Sequence, residues 1–194
     1  MKERPILFST EMVQAVLDGR KTQTRRVVKN QDMFMVKDIG SVKLRPCEIK
    51  DHTQIDLKCP YGQVGDKLWV RETWWGKPAI PEKNPKIIYK ADDPQAPLCW
   101  RPSIFMPKKY SRITLEITDI RVERVQDITY GDIFREGVNV KNYKEFDGAD
   151  NQFAQCQFAN EKFIELWDSI NEKRGYSWNV NPWVWVVCFK VIKE

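Results

Sequence analysis

The sequence lacks the features that would place the chain in a membrane or in a disulfide-stabilised secreted class. It contains no run of about 18 apolar residues, so no transmembrane helix is predicted. The first residues carry no apolar segment of the signal-peptide type, and the cytoplasm is therefore the expected compartment. The five cysteines are odd in number and irregularly spaced, which excludes a regular disulfide framework.

Histidine and metal-ligand patterns are also scarce. The single histidine is His52, and with Cys47 and Cys59 it forms the nearest approach to a zinc pattern. No close cysteine pair completes that pattern, so we expect ordinary thiols, no metal and no cofactor. A ribonuclease built on this chain would have to act through lysine and glutamate, and His52 would not matter to it.

What the sequence does contain is an aromatic, mildly basic chain of single-domain length. Its 194 residues can bury a sizeable core, and the 32 lysines and arginines exceed the 27 aspartates and glutamates by five. This excess is compatible with an anionic partner such as RNA or a nucleotide. The eight tryptophans would serve equally well as core or as base-stacking surfaces.

Apolar periodicity predicts more strand than helix, and hence a mainly β member of the α+β class. Strands are predicted at residues 5–8, 67–75, 86–90, 113–125 and 181–191. Helices are predicted at residues 10–18, about 127–136 and about 155–171. Two polar or proline-rich stretches, at about 29–60 and 76–108, are interpreted as insertions into a single domain. In the long strand, Ile113, Leu115 and Ile117 are predicted to face the core.

The strand at residues 67–75 carries a charge beside a tryptophan on each face. Strict alternation places Glu72 and Trp74 on one face and Arg71 on the other. A plain core strand rarely has this composition, because a buried charge must be paired. Arg112 is one predicted partner for Glu72.

Residues 19–26 (GRKTQTRR) concentrate cationic and hydroxyl groups directly after a glycine. A solvated helix end followed by an ordinary edge strand would account for this composition. Lys21 and Thr24 are three residues apart, which places them on opposite faces of a regular strand. A turn or bulge near Thr22 is therefore required if they are to converge. Glu136 is predicted at a helix C-terminus, where the helix dipole disfavours an anion by about 0.3–1 kcal/mol, so a cationic partner is expected.

Five blocks, in order, resemble those of the ASCH (activating signal cointegrator homology) domain, in the longer form found in bacteria, prophages and phages. They are residues 19–26, 65–74, 111–115, 136–137 and 181–185. The resemblance as a whole covers about residues 6–191. It implies one ASCH domain over 1–194 with the two insertions. The resemblance implies a PUA-like β-barrel, related to an RNA-binding fold, with helices on its outside. It also implies a cleft where the first block meets the strand that contains Glu72.

The first block is similar to that of the small bacterial N4-acetylcytidine amidohydrolases of this family, which use a lysine, a threonine and a glutamate. By motif these correspond to Lys21, Thr24 and Glu136, with Glu72 as a rival carboxylate. The residues expected to bind substrate are Arg26, Arg71, Glu72, Trp74 and Arg112.

Amide hydrolysis by this set would require an uncharged Lys21, because only a neutral amine can take the proton of a threonine hydroxyl. A free lysine has a pKa near 10.4. Burial and the neighbouring Arg20, Arg25 and Arg26 are expected to lower it. Three functions stay open at this point: an amidohydrolase of a modified nucleoside, a non-catalytic module that binds RNA or a modified nucleotide, and a ribonuclease.

Overall fold

The chain forms a mixed α+β structure dominated by one five-stranded sheet. The computed structural model describes residues 1–31, 58–76, 87–96, 98–139 and 152–192. Its strands are β1 (Glu3–Leu7), β2 (Gln23–Val27), β3 (Lys67–Arg71), β4 (Trp74–Trp75), β5 (Ile88–Tyr89), β6 (Thr114–Arg124) and β7 (Trp183–Ile192). Its helices are α1 (Thr10–Leu17), α2 (Tyr130–Arg135) and α3 (Gln152–Asn171). The mainly β, α+β prediction is confirmed.

The large sheet has the strand order β1-β3-β6-β7-β2, and β4 pairs with β5 in a separate ribbon. β1 is parallel to β3, whereas the other neighbours in the large sheet are antiparallel. The predicted closed barrel is wrong, because in the described ranges the edge strands β1 and β2 do not pair with each other. Instead, the guanidinium of Arg26 donates a hydrogen bond to the Leu7 carbonyl at the end of β1 (2.7 Å).

Two apolar cores lie on opposite faces of this sheet. On β7, Trp185 and Val187 belong to the core next to α1, whereas Val184 and Val186 belong to the core beneath α2 and α3. Burial on both faces explains why the β7 sequence is almost continuously apolar rather than alternating.

β6 changes register halfway along its length. Ile117 pairs with Phe189 and Asp119 with Cys188, so an extra residue, Thr118, forms a bulge. Before the bulge, Ile113, Leu115 and Ile117 are buried as predicted, and after it Ile120 and Val122 occupy the same core. The shift leaves Arg121 and Glu123 on the other face, towards α2.

Local capping fixes the helix ends that border the site. The Ser9 hydroxyl accepts a hydrogen bond from the Met12 amide at the start of α1, and Thr129 does the same for Asp132 in α2. Gly137 follows α2 with φ of 87°, a conformation that favours glycine. The predicted stop at Gly137 is therefore confirmed.

Candidate functional site

Lys21 lies in the turn between α1 and β2, not on the strand itself. Its amide donates to the Ala15 carbonyl (2.9 Å), and the Thr22 amide donates to the Arg135 carbonyl (2.9 Å). Because β2 begins only at Gln23, Lys21 is not subject to strand alternation. The turn that the sequence requires before Thr24 is present.

The Lys21 side chain is fully buried and contacts Glu136. Its Nζ donates to Oε2 of Glu136 (2.9 Å) and to the Glu136 backbone carbonyl (2.7 Å). Glu136 is the C-terminal cap of α2, as the sequence predicted. The cationic partner expected for a carboxylate at this helix end is therefore Lys21, together with Arg25.

Burial lowers the pKa of Lys21, because the charged ammonium loses its hydration. The charge and the hydrogen bond of Glu136 oppose this change, while Arg26 and Arg25 add to it. The net direction is downward. Arg20, which the sequence grouped with these arginines, instead pairs with Asp18 (2.9 Å) and donates to the Gly137 carbonyl (3.0 Å).

Arg25 is the centre of a buried network that sequence reasoning missed. Its guanidinium contacts Glu136 Oε1 (3.0 Å), Asp132 Oδ2 (3.1 Å) and Glu123 Oε1. Arg121 contacts the same Glu123 (2.9 Å) and Asp132 (3.0 Å). We call the following six residues the buried charge cluster: Lys21, Arg25, Arg121, Glu123, Asp132 and Glu136.

Part of the buried charge cluster has a signal in the sequence. Asp132 and Glu136 are four residues apart and therefore share one face of α2. Burial acts to raise the pKa of Asp132, but the attraction of Arg25 and Arg121, with hydrogen bonds from Thr129 and Arg25, outweighs it and lowers that pKa. Asp132 is thus held in its ionised form.

A cavity of about 430 Å³ lies along the free edge of β2. Thr24, Arg26 and Glu136 border it on one side, and Phe163 and Trp167 of α3 border it on the other. The two α3 aromatics belong both to the core and to the cavity wall. Lys21 does not line the cavity. It donates a hydrogen bond to Glu136, which does line the cavity.

The cavity has an excess of positive charge. Among the described residues that line it, Glu136 is the one carboxylate, and it is already bonded to Lys21 and Arg25. Arg26 and Arg174 also line the cavity, and within the described part of the chain neither is paired with a carboxylate. Arg26 bonds to a backbone carbonyl, and Arg174 bonds to the side-chain oxygen of Asn171 (3.3 Å).

The other predicted substrate-binding residues lie away from this cavity. Glu72 is buried and held by two hydrogen bonds from Arg112 (2.9 and 3.0 Å), as one reading of the sequence predicted. Burial raises the pKa of Glu72, and the Arg112 contacts oppose that rise.

Arg71 and Trp74 are likewise engaged elsewhere. Arg71 stacks on Trp69 (4.7 Å), and Trp74 is buried against Tyr110 (5.2 Å). Of the five predicted binding residues, the structure brings only Arg26 to the cavity. One reason is the strand order β1-β3-β6-β7-β2, in which β3 is not a neighbour of the strand β2 that borders the cavity.

Cys47 and His52 lie outside the described residues, so the hypotheses that involve them stay predictions. In the described ranges, no group of three or more histidine, cysteine, aspartate or glutamate side chains is arranged to hold a metal ion. No helix in the same ranges is long and apolar enough to span a membrane.

Gly137 supports the site by allowing close packing against Lys21. A Cβ at this position would lie 2.8 Å from the Ala15 Cβ and 3.0 Å from the Lys21 Cβ. We expect Gly137→Ala to lower the free energy of unfolding by about 2–4 kcal/mol, from the positive φ and the overpacking together. Urea denaturation would measure this change.

The matched control is Gly175→Ala. Gly175 has a similar φ of 81°, but a Cβ there would meet nothing within 4 Å. We expect it to cost only about 1–2 kcal/mol, from backbone conformation alone. Equal losses in the two variants would show that the packing against Lys21 is unimportant.

Comparison with known proteins gives no family assignment. No family model and no curated protein matches the sequence. Among solved structures, the high-resolution crystal structure of an ASCH domain from Lactobacillus crispatus JV V101 is similar, with 14% identity and a TM-score of 0.41. The match covers 98% of this chain and 79% of that one. The function of the chain is therefore inferred from its own residues.

Proposed function

We propose that the chain is an ASCH-type amidohydrolase that removes the acyl group from an acylated cytidine, with Lys21, Thr24 and Glu136 as its catalytic residues. One observation carries the proposal. The buried Lys21 amine is hydrogen-bonded to Glu136, and Glu136 and Thr24 border the same cavity. The five ASCH-like blocks support the same assignment.

The reaction begins with the Thr24 hydroxyl. Lys21 takes its proton as the Thr24 oxygen bonds to the acyl carbon, and the carbonyl oxygen becomes an oxyanion that Arg26 stabilises. The bond between that carbon and the cytosine N4 then breaks, and Lys21 returns the proton to the leaving nitrogen. Water then attacks the acyl carbon of the resulting Thr24 ester while Lys21 takes its proton. Lys21 gives this proton to the Thr24 oxygen as the ester bond breaks, which releases the carboxylic acid and restores the hydroxyl.

The cavity suits a nucleoside in size and surface. Its volume of about 430 Å³ lies within the range of small-molecule sites. Phe163 and Trp167 contribute aromatic atoms to its wall, although each is almost completely buried in the core. Arg25 and Arg26 are the cavity-lining donors next to Thr24 in sequence, and Arg25 is already bonded to three carboxylates, which leaves Arg26 for the substrate.

The proposal is tested by substitution of Thr24. We expect the wild-type protein to release cytidine and acetate from N4-acetylcytidine, as measured by chromatography. Thr24→Val keeps the size and shape of the side chain but removes the nucleophile, and should lower kcat by about 10³-fold or more. Thr24→Ser keeps the hydroxyl and should retain measurable activity, which makes it the matched control.

Equal activity of Thr24→Val and wild type would overturn the role of Thr24, and the absence of any cytidine release would overturn the amidohydrolase proposal. A second candidate would then stand, a non-catalytic module that binds RNA or a modified nucleotide. The observation that favours it is the presence of Arg26 and Arg174 in the cavity without carboxylate partners among the described residues. Salt-dependent RNA binding that survives Lys21→Ala and Thr24→Ala would identify it.

A further inference from the structure

The Glu136 carboxylate has a cationic residue on each of its two oxygens. Lys21 Nζ donates to Oε2 (2.9 Å), and Arg25 Nη1 donates to Oε1 (3.0 Å). A carboxylate oxygen accepts a hydrogen bond from a charged or from a neutral amine, so these contacts do not require both donors to be charged. One of them can be an ion pair and the other an ordinary hydrogen bond from a neutral donor.

Arg25 is the fixed charge of the two. A guanidinium stays protonated in proteins, whereas a lysine can lose its proton when it is buried. Glu123 and Asp132 hold the second Nη of Arg25, and Arg121 holds both of these carboxylates in turn. The guanidinium therefore presents its remaining edge to Glu136 from a rigid position.

We propose that Arg25, rather than Lys21, is the counter-ion of Glu136, which makes Arg25 a positioning residue and lets Lys21 serve as an uncharged base. This inference rests on the amidohydrolase proposal. It deepens that proposal by naming the group that makes a buried lysine usable as a base beside a carboxylate.

The charges around Lys21 are consistent with an uncharged amine. The end of α2 contributes Glu136, and β2 contributes Arg25 and Arg26. From the segment after β1, the uncharged ring of Phe8 lies 5.6 Å from Nζ. The buried charge cluster itself contains two guanidiniums, Arg25 and Arg121, and three carboxylates. The neighbouring Arg26, whose charge also acts on Glu136, supplies the third guanidinium from outside the cluster.

The hydrogen bonds of Nζ lead to the same assignment. A neutral amine has two N–H donors and one lone pair, whereas an ammonium has three donors and no lone pair. Two donors are satisfied here, by Oε2 and by the backbone carbonyl of Glu136. In the uncharged form both donors are thus committed, and the lone pair is left to accept the Thr24 proton.

The test is the titration of Lys21 in the whole chain. NMR of the lysine 15Nζ and 13Cε resonances monitors the titration, and the resonances that disappear in Lys21→Met are those of Lys21. We expect wild-type Lys21 to lose its proton at a lower pH than the surface lysines. Arg25→Met should move this titration upward, because Glu136 would then depend on Lys21 for its counter-ion. Arg25→Lys restores the charge and should bring the titration back towards the wild-type position.

The pH profile of kcat/KM for N4-acetylcytidine is the second readout. Its rising limb should move to higher pH in Arg25→Met. At pH 7 we expect kcat to fall by up to about tenfold and KM to change little. A merely structural role would lower activity at every pH without moving the limb. Wild-type Lys21 that titrates together with the surface lysines overturns the assignment even if Arg25→Met fails to fold.

The two readouts separate the two proposals. A protein whose Lys21 titrates low, and does so in an Arg25-dependent way, but which releases no cytidine overturns the amidohydrolase and leaves the ion-pair assignment standing. A protein that hydrolyses the substrate while Lys21 titrates normally overturns the assignment alone.

Discussion

Replacement of Lys21 by methionine is expected to lower kcat for N4-acetylcytidine hydrolysis by about 10²–10⁴-fold, the usual contribution of a general base. Methionine fills a similar buried volume, and Arg25 still pairs with Glu136, so the variant should fold. Steady-state kinetics would measure the loss, and circular dichroism would confirm the fold. Because the base must be neutral, wild-type activity should rise as the pH rises through the lowered pKa of Lys21.

The matched control for this experiment is Lys29→Met. Lys21 is buried behind Glu136, whereas Lys29 is a lysine that lines the cavity directly and has an exposed side chain. Its removal should change KM by a small factor and leave kcat near the wild-type value. A similar loss of kcat in both variants would mean that positive charge in the cavity matters and that Lys21 has no special role.

Replacement of Glu123 by glutamine is expected to lower the free energy of unfolding by about 3–5 kcal/mol, the usual cost of removing one partner from a buried ion pair. Glu123 is completely buried and accepts hydrogen bonds from Arg25 and Arg121. The amide keeps the shape of the side chain but places an NH₂ group against guanidinium donors. For a chain of this length the melting temperature should fall by roughly 6–20 °C.

Glu116→Gln on the same strand is the control for the stability experiment. Glu116 lies before the bulge, is partly exposed and pairs with Lys190 (3.2 Å). Exposed pairs of this kind contribute about 0–1 kcal/mol, so the melting temperature should change little. Equal shifts in the two variants would contradict the view that the buried charge cluster is a main source of stability on this face of the sheet.

The sequence predicts the local geometry around Lys21 and Glu136 better than it predicts which distant residues lie beside them. The short spacing within residues 19–26 requires a turn before Thr24, and the dipole at the end of α2 requires a cation near Glu136, and both are found in the structure. Each of these inferences depends on neighbours in sequence or on one helix end, and such local physics can be inferred without coordinates.

Long-range features could not be inferred in the same way. Alternation sorts the residues of β3 into two faces, but it contains no signal of the strand order, in which β3 is not a neighbour of β2. The double role of Trp167 depends on where α3 packs against the sheet. The pairing of Arg25 with Glu123 depends on the register of two strands that are far apart in the sequence.

The bulge at Thr118 shifts the alternation of side chains along β6. It therefore determines which face of the sheet each later residue of the strand occupies. If the same sequence paired without a bulge, Arg121 and Glu123 would point into the apolar core beside α1, and Ile120 and Val122 would replace them opposite Asp132. The first half of the strand packs into the core next to α1. The second half supplies the charged side chains of Arg121 and Glu123 to the face beneath α2. The bulge is therefore as necessary as the composition of the strand, since regular pairing of the same residues would exchange the two interiors.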